Sequence, residues 1–392
     1  MAKRISIKVY RPDRTFLKEW DNARFYGFEK EINGGLSSCE LALGEKFDYQ
    51  GGELALGNEV DILITDNEAS NLLVYSGYIS NYEPWVEEGK EGIKIYLLGH
   101  YTKLAADILK SGTQTTLYTK TTDGLTTVSG DISAAEVADV IKAVLDRYRA
   151  ETKNPKILYF KSTIEDTGND MEYILEQKTY REALNKAITV TPAGWFWYID
   201  ESGIFYLKQK PTTPTHTFVF GKHFSQVRVE RSMEKIKNVF LFWNGETGVG
   251  KIYKSYQDEA SVKEHGRRVE KYYDWKVSSE GTADNIAARF LGMAKDPDVK
   301  VICEIVDNSL DAVNGYDIES VQPGDTCIFK GFDQQFAEIF NENMMITKVD
   351  YRLDRIVLTI EPTKAGVVEW TEEIQKQNDE FYSREAPETY DE

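Results

Sequence analysis

Residues 39–44 read CELALG, and GNEVDILI at 57–64, LVYSGYISNY at 73–82 and GIKIYLLGH at 92–100 follow them. The same order returns near the other end: CEIVDN at 303–308, PGDTCIFK at 323–330, MMITKVDY at 344–351 and RIVLTIEP at 355–362. Each series has a strand opening on Cys-Glu, a glycine-and-acid turn into an apolar strand, and a hairpin of two alternating strands. Two similar small β domains in one polypeptide describe a ring builder, because a few copies of such a chain supply twice as many equivalent units.

Around this echo the chain is long enough for several cores. At 392 residues it should divide into two to four domains. Hydrophobic residues at 41% and aromatics at 12% belong to an ordinary folded protein rich in Tyr and Phe. No run approaches the roughly 18 apolar residues of a membrane span, and the start MAKRISIKVYR lacks the apolar stretch of a signal peptide, so the chain is expected to stay in the cytosol where it is made. Cys39, Cys303 and Cys327 lie in apolar strand contexts and leave an odd number, which reads as reduced core residues. With 65 acidic against 47 basic residues, a net charge of −18 and no basic stripe, tight nucleic-acid binding is not expected.

Residues 1–101 form one β domain, since RISIKVYR at 4–11 and ARFYGFEKEI at 23–32 alternate ahead of the first series. The Thr/Ser/Gly-rich stretch 111–130 suits a β excursion or loop. A helix follows: Ser133 with Glu136 makes a capping box, and Val137, Val140, Ile141, Val144, Leu145 and Tyr148 fall on one face. A second helix starts near Thr179, turns Leu184, Ala187 and Ile188 inward, and ends before Pro192 and Gly194. In GWFWYIDESGIFYLK, 194–208, Asp200 to Gly203 turn a hairpin. Trp195 and Trp197 point one way, Phe196 and Tyr198 the other, as in a sheet covered on both sides; the functional alternative is a row of platforms for sugar rings. TFVFG and KNVFLFWN lie within 217–244, and a helix near 282–295 carries Ile286, Ala287, Phe290 and Leu291 on one face. The expected division is thus 1–101, a first tube-like β domain; 102–215, an α/β insert; 216–245 with 299–363, a discontinuous second β domain; 246–298, a second insert; and 364–392, an acidic tail.

The chemistry-bearing motifs are few. GETGVGK at 245–251 matches a phosphate loop through its lysine, but Ile252 stands where Ser or Thr would hold magnesium and IYKSY continues as a strand, so a hairpin connection is expected. His100, His216, His223 and His265 are scattered, and no zinc spacing joins them to cysteines. Glu165 with Asp166, or Asp200 with Glu201, could in principle serve glycoside hydrolysis, yet charged turns account for them. No catalytic, cofactor or metal residue is assigned, and no enzyme activity is expected.

The runs GWFWYIDESGIFYLKQKP, FVFGKHFSQVRVERSMEKIKNVFLFWNG, KSYQDEASVKEHGRRVE with AARFLGMAKDP, and GYDIESVQPGDTCIFKG resemble the phage tail hub family, which includes the baseplate hub of contractile-tailed phages and the N-terminal structural part of siphophage tail-associated lysins. The resemblance spans about residues 1–365. Its most specific part is Asn238, Asp258, Ser261, His265, Gly266 and Arg267, with His265 standing in place of the usual aromatic. It implies a mainly β fold with α+β inserts: two related β-barrel tube domains, with peripheral α/β domains at 102–215 and 246–298. It further implies a homotrimer closing a pseudo-sixfold ring on a tail tube or distal tail ring, in contact with other tail-tip proteins. DNA would pass through without specific binding and no membrane insertion is expected. The chain would reside in the virion tail tip, after assembly in the host cytoplasm. Lysin members continue into a peptidase or glycosidase; here only AGVVEWTEEIQKQNDEFYSREAPETYDE follows Pro362 and Lys364, read as a frayed tail or a short helical stalk on Trp370, Ile374 and Phe381. A cell-wall hydrolase and a glycan-binding tail-tip module are the alternative functions.

Overall fold

The structure is a computed structural model that describes residues 4–361 apart from 21–22, 45–51, 66–70, 88–89, 110–116, 122–123, 129–134, 153–155, 172–177, 246–250, 276, 278, 308–314 and 333–342. The expected tail at 364–392, Ser133 of the expected capping box, and 246–250 of the phosphate-loop lookalike lie outside the described residues. No described helix is long and apolar enough to cross a membrane.

The chain opens with β1 (Arg4–Tyr10), β2 (Phe16–Trp20), β3 (Ala23–Glu31), β4 (Gly34–Leu43), β5 (Glu59–Thr65), β6 (Asn71–Glu87) and β7 (Lys90–Gly99). Next come β8 (Leu117–Thr121), β9 (Gly124–Val128), β10 (Ala135–Glu136), α1 (Val137–Thr152), β11 (Asp170–Met171), α2 (Tyr180–Thr189), β12 (Trp195–Ile199) and β13 (Phe205–Gln209). β14 (His216–Val219), β15 (Val227–Ser232), β16 (Val239–Trp243), β17 (Tyr253–Gln257), α3 (Glu259–His265), β18 (Val269–Tyr273) and α4 (Glu280–Ala294) precede β19 (Asp298–Val306), β20 (Thr326–Lys330), β21 (Met344–Arg352) and β22 (Arg355–Glu361).

The echo in the sequence is an echo in topology. The first unit runs β3-β4-β7-β6-β5-β1 and the second β15-β19-β22-β21-β20-β14. Their registers coincide. Glu59 lies opposite Tyr78 as Thr326 lies opposite Met345. Ahead of each pair a glycine of positive φ, Gly57 at 87° and Gly324 at 91°, lets the backbone turn back onto the hairpin. Gly57 N–H then donates to Ile79 and Ile79 N–H to Asn58, at 2.9 and 2.8 Å, while Gly324 donates to Ile346 and Ile346 to Asp325, both at 2.8 Å. Both hairpins carry a bulge one residue later, at Ser80 and Thr347, whose hydroxyls donate to the carbonyls of Tyr96 (2.9 Å) and Thr359 (3.2 Å). Alternation supplies the core: Ile93, Ile95 and Leu97 of β7 and Ile356, Leu358 and Ile360 of β22 are buried.

One equivalence is corrected. Cys39 pairs with Leu97, and Leu97 corresponds to Ile360, which faces Val301; Cys303 therefore corresponds to Leu41. The two Cys-Glu openings are two residues out of step, a slip that keeps every side chain on its face and so leaves the alternating pattern unchanged. The expected closed barrels are also corrected: among the described residues each unit is an open path, antiparallel throughout in the first unit and antiparallel up to the last pair, β20 with β14, in the second. The two paths join where Lys348–Tyr351 of β21 pair with Glu31–Phe28 of β3, making one continuous sheet over a shared apolar core. At this joint Phe28 stacks on Tyr351 with centroids 4.8 Å apart.

The inserts make a second core. α1, α2 and α4 contribute Val140, Ile141, Leu184, Ala187, Ile286 and Phe290 to it, together with Phe240 and Phe242. β16 was expected among the opening strands of the second β unit; it pairs instead with β17 and β18 in a separate three-stranded sheet whose inner face lies in this core. Its VFLFW run is apolar enough for either place, and its polar partner strands decide. β12 lies between the two packing environments, with Trp195 and Trp197 in the insert core and Phe196 against Ile32 and Met345. This is why both of its faces are apolar.

Candidate functional site

β16 and β17, on either side of 245–251, pair antiparallel, with Asn244 N–H donating to Ile252 O and Ile252 N–H to Asn244 Oδ1, at 3.1 and 3.0 Å. A strand, not a helix, follows Lys251, so no set of helix N-terminal amides is available to a phosphate there. The aromatic platform reading is overturned by burial: Trp197 is 0% exposed, stacked on Phe205, and its indole N–H donates to Asn185 at 2.9 Å. Asp200 accepts from the N–H groups of Ser202 and Ile204 and so fixes the β12–β13 turn, while burial raises its carboxyl above the usual range. Glu201 faces Lys30 at 3.5 Å. Glu165 lies beside Gln209 N–H at 3.5 Å, and Asp166 lies 4.0 Å from Lys142.

The histidines stay apart. His100 is buried under β5 and β6 near Lys103, Lys156 and Arg14, and burial followed by those charges lowers it to about 3. His216 contacts Asp325 (3.0 Å) and the Tyr316 hydroxyl (2.6 Å). His223 Nδ1 accepts from Val219 N–H at 3.2 Å, and His265 lies 3.9 Å from Glu264. No group of three metal-ligating side chains occurs among the described residues. The three cysteines are free and buried, and desolvation pushes their thiols up, which fits inert core residues.

Of the series singled out by the family resemblance, Asn238, Asp258, Ser261 and Gly266 come together as one polar knot, which His265 and Arg267 do not join. Fully buried Asn238 donates to Ser261 Oγ (3.2 Å) and Gly266 O (2.7 Å) and accepts from Arg268 N–H (2.7 Å). Asp258 caps α3 through Ser261 N–H at 2.9 Å and holds Lys295 at 2.9 Å. These residues tie α3, β16 and the end of α4 together, so their chemistry is architectural.

Two further buried groups were not singled out in the sequence. Lys186 of α2 meets Asp274 at 2.6 Å and the Tyr272 hydroxyl. Arg289 of α4 donates to Thr191 O (3.3 Å), Thr191 Oγ1 (3.0 Å), Pro192 O (2.7 Å) and Trp195 O (3.1 Å), and burial lowers it to about 9. Both bridge 102–215 to 246–298. The available signal was a cation on an otherwise apolar helix face, Lys186 between Leu184 and Ala187 and Arg289 between Ile286 and Phe290. The Glu136 carboxylate accepts from Ala138 N–H (2.6 Å) and Asp139 N–H (3.3 Å), so it caps α1 from in front rather than from inside its first turn.

The joint between the units has a cavity of about 30 Å³ lined by Phe28, Lys30, Glu201, Glu319 and Tyr351, among others. Small-ligand pockets run to roughly 300–1,000 Å³. What the joint offers is backbone: a strand edge that one unit presents and the other takes.

No family model matches the chain, and no curated relative matches it. Solved structures do share its fold. A 43 kDa tail protein of prophage MuSo2 from Shewanella oneidensis superposes with a TM-score of 0.61 at 14% identity, covering 93% of this chain and 99% of that one. A tail protein from Neisseria meningitidis gives 0.58 at 12% identity over 93% and 98%, and a prophage tail protein from Listeria monocytogenes 0.57 at 9% over 96% and 99%. The chain thus has the mainly β fold of phage tail proteins.

Proposed function

We propose that this chain is a structural tail protein that forms the hub of a phage or phage-derived particle, as a homotrimer that closes the end of the tail tube. The observation that carries this reading is the internal duplication, with two units of one strand order and one register in a single chain. Three chains of two units give the six positions of a hexameric tube end, each chain meeting its neighbours heterologously. In this reading residues 1–101 and the second unit are the tube domains, their curved sheets completing barrel-like walls in the ring, and 102–215 and 246–298 are peripheral. The hub contacts the tail tube or distal tail ring and other tail-tip proteins, resides in the virion, and performs no catalysis. Its charge of −18 suits a channel through which DNA passes without being held.

The oligomer mass in solution, with negatively stained particles, tests this directly. A trimer, formed alone or beside tail-tube protein, is expected, with no affinity for duplex DNA at moderate salt. A chain that stays monomeric beside tail-tube protein, or an isologous dimer, overturns the hub reading.

A further inference from the structure

Each unit has two strand edges at which another unit could join, and among the described residues only one of each kind is used. In the second unit β21 pairs with β20 through Met344 and Met345, passes the bulge at Thr347, and offers the rest of that edge to β3 of the first unit. In the first unit β6 pairs with β5 as far as Tyr78, passes the matching bulge at Ser80, and then meets no partner on that edge among the described residues. β15, the counterpart of β3, pairs with β19 alone. The molecule therefore holds one complete joint and, on β15 and on the far part of β6, the two halves of another.

We propose that the outer edge of β15 in one copy of this chain adds antiparallel to residues 80–84 of β6 in a second copy, with Tyr82 opposite Arg231 and Glu83 opposite Glu230. The occupied joint supplies the register. The shared bulge makes Asn81, Tyr82, Glu83 and Pro84 the counterparts of Lys348, Val349, Asp350 and Tyr351. The pairings of β4 and β19 make Val229 the counterpart of Phe28, and so Arg231 that of Lys30. Lys30 lies opposite Val349, which places Arg231 opposite Tyr82.

Three features of the open edges fit this joint. The bond from Ile32 N–H to Thr347 O, 3.1 Å, shows which alternate residues aim their backbone at the partner; on β6 these are Ser80, Tyr82 and Pro84. Pro84 thus puts its missing N–H on the outward edge, where a sheet tolerates proline and where it discourages indiscriminate pairing. Second, Phe28 and Tyr351 are buried at the used joint, whereas Tyr82 is exposed and Val227 and Val229 are only partly covered. Third, the used joint sets Asp350 against Glu29 and offsets them with Arg352 (3.6 Å) and Lys348 (2.8 Å). The open joint sets Glu83 against Glu230, and Arg228, on the same face and 76% exposed at its side chain, is available to both. Because the two edges differ, the contact is heterologous and builds a ring or a filament. That three copies close it rests on the hub reading; the pairing itself does not.

Cross-linking tests it. Glu83 and Glu230 would form a non-hydrogen-bonded opposite pair with Cα atoms about 4.5 Å apart, within disulfide reach. The double variant Glu83→Cys/Glu230→Cys, oxidised and run without reductant, is expected to give a covalent trimer, and each single variant a monomer. As a second variant, Tyr82→Pro removes an N–H that points away from β7; it should weaken self-association at least about tenfold, or about 1.4 kcal/mol, with the monomer's melting temperature unchanged. Covalent ladders beyond the trimer would support the edge pairing and overturn the count of three. A trimer by mass that never cross-links and is indifferent to Tyr82→Pro overturns the pairing and leaves the hub reading standing. A monomer that neither associates nor cross-links at the highest attainable concentration, alone or beside tail-tube protein, overturns both.

Discussion

The two β units share a backbone plan and almost nothing around it. Both fold a glycine-led strand against a bulged hairpin in one register, yet the sixth strand is antiparallel in the first unit, where β1 pairs with β5, and parallel in the second, where β14 pairs with β20. The flanking chemistry diverges as well. Glu59 and Asp61 of β5 are buried against Arg14, at 3.3 and 2.8 Å, and Lys156 closes on Glu59 at 3.0 Å. Thr326, the counterpart of Glu59, instead donates its hydroxyl to Thr213 O at 2.9 Å, accepts at its carbonyl from Thr215 N–H and donates its N–H to the Thr215 hydroxyl, both at 2.9 Å. The shared register is thus carried by a few backbone-determining positions, and the remaining residues are free to answer to whatever each unit touches.

The largest difference is at the joints, one occupied and one open. Phe28 is 2% exposed and stacks on Tyr351 across the unit boundary, so Phe28→Ala should cost about 3–5 kcal/mol in urea unfolding. Val229→Ala, at the equivalent open position, should cost the isolated chain under about 1 kcal/mol, since its side chain is already partly in water. Equal losses at both sites would mean that the units do not differ in this way and that β15 is already covered.

The paired glycines sharpen the comparison at smaller scale. A Cβ at Gly57 meets open space, whereas one at Gly324 would lie 2.0 Å from the Phe196 ring, because only the second unit packs its turn against β12. Both positions have positive φ, worth roughly 1–2 kcal/mol against Ala. Gly57→Ala should cost about that much, and Gly324→Ala about 1–3 kcal/mol more from overpacking. Thermal denaturation of the two variants side by side reads the gap; no gap would place Phe196 away from the second turn.

These pairs also show what the sequence could disclose. The turns at Gly57 and Gly324 were legible because a positive-φ glycine followed by an acid or amide and then an apolar strand has few readings. The Cys-Glu match misled by two residues because period-two alternation looks the same after a slip of two. The direction of β14 was not legible, since a four-residue strand has the same composition whichever way it pairs. VFLFW of β16 was assigned to the wrong sheet because an apolar run names burial, not the partner strand. Of the polar groups, the Asn238 series was visible through the resemblance alone, and that Lys186 and Arg289 bridge the two inserts needed the fold to bring distant residues together.

The last predicted effect, which vanishes above pH 6.5, concerns His100, which has its place only in the charged seam of the first unit. Its ring is buried, Nδ1 has no hydrogen-bond partner among the described residues, Nε2 lies 3.4 Å from Ser76 Oγ, and Lys103, Lys156 and Arg14 oppose a positive charge there. The folded chain therefore keeps it neutral down to about pH 3, while the unfolded chain protonates it near its ordinary value of 6.5. Between these values the unfolded state binds the extra proton, so stability falls as pH falls, by at most about 1.4 kcal/mol per pH unit from this group, and is unaffected above 6.5. At pH 5 that amounts to about 2 kcal/mol. His100→Gln removes the titration, so its stability should decline less steeply than the wild type's between pH 6.5 and 4 and run parallel to it above pH 7. Carboxylates in the same seam, Glu59 and Asp61, are retained in both proteins, which makes the difference between the two pH profiles, and not either profile alone, the quantity that reports on His100. Identical slopes would mean that the first unit's seam opens to water in solution, and the contrast with the neutral Thr326 seam would then lose its energetic basis.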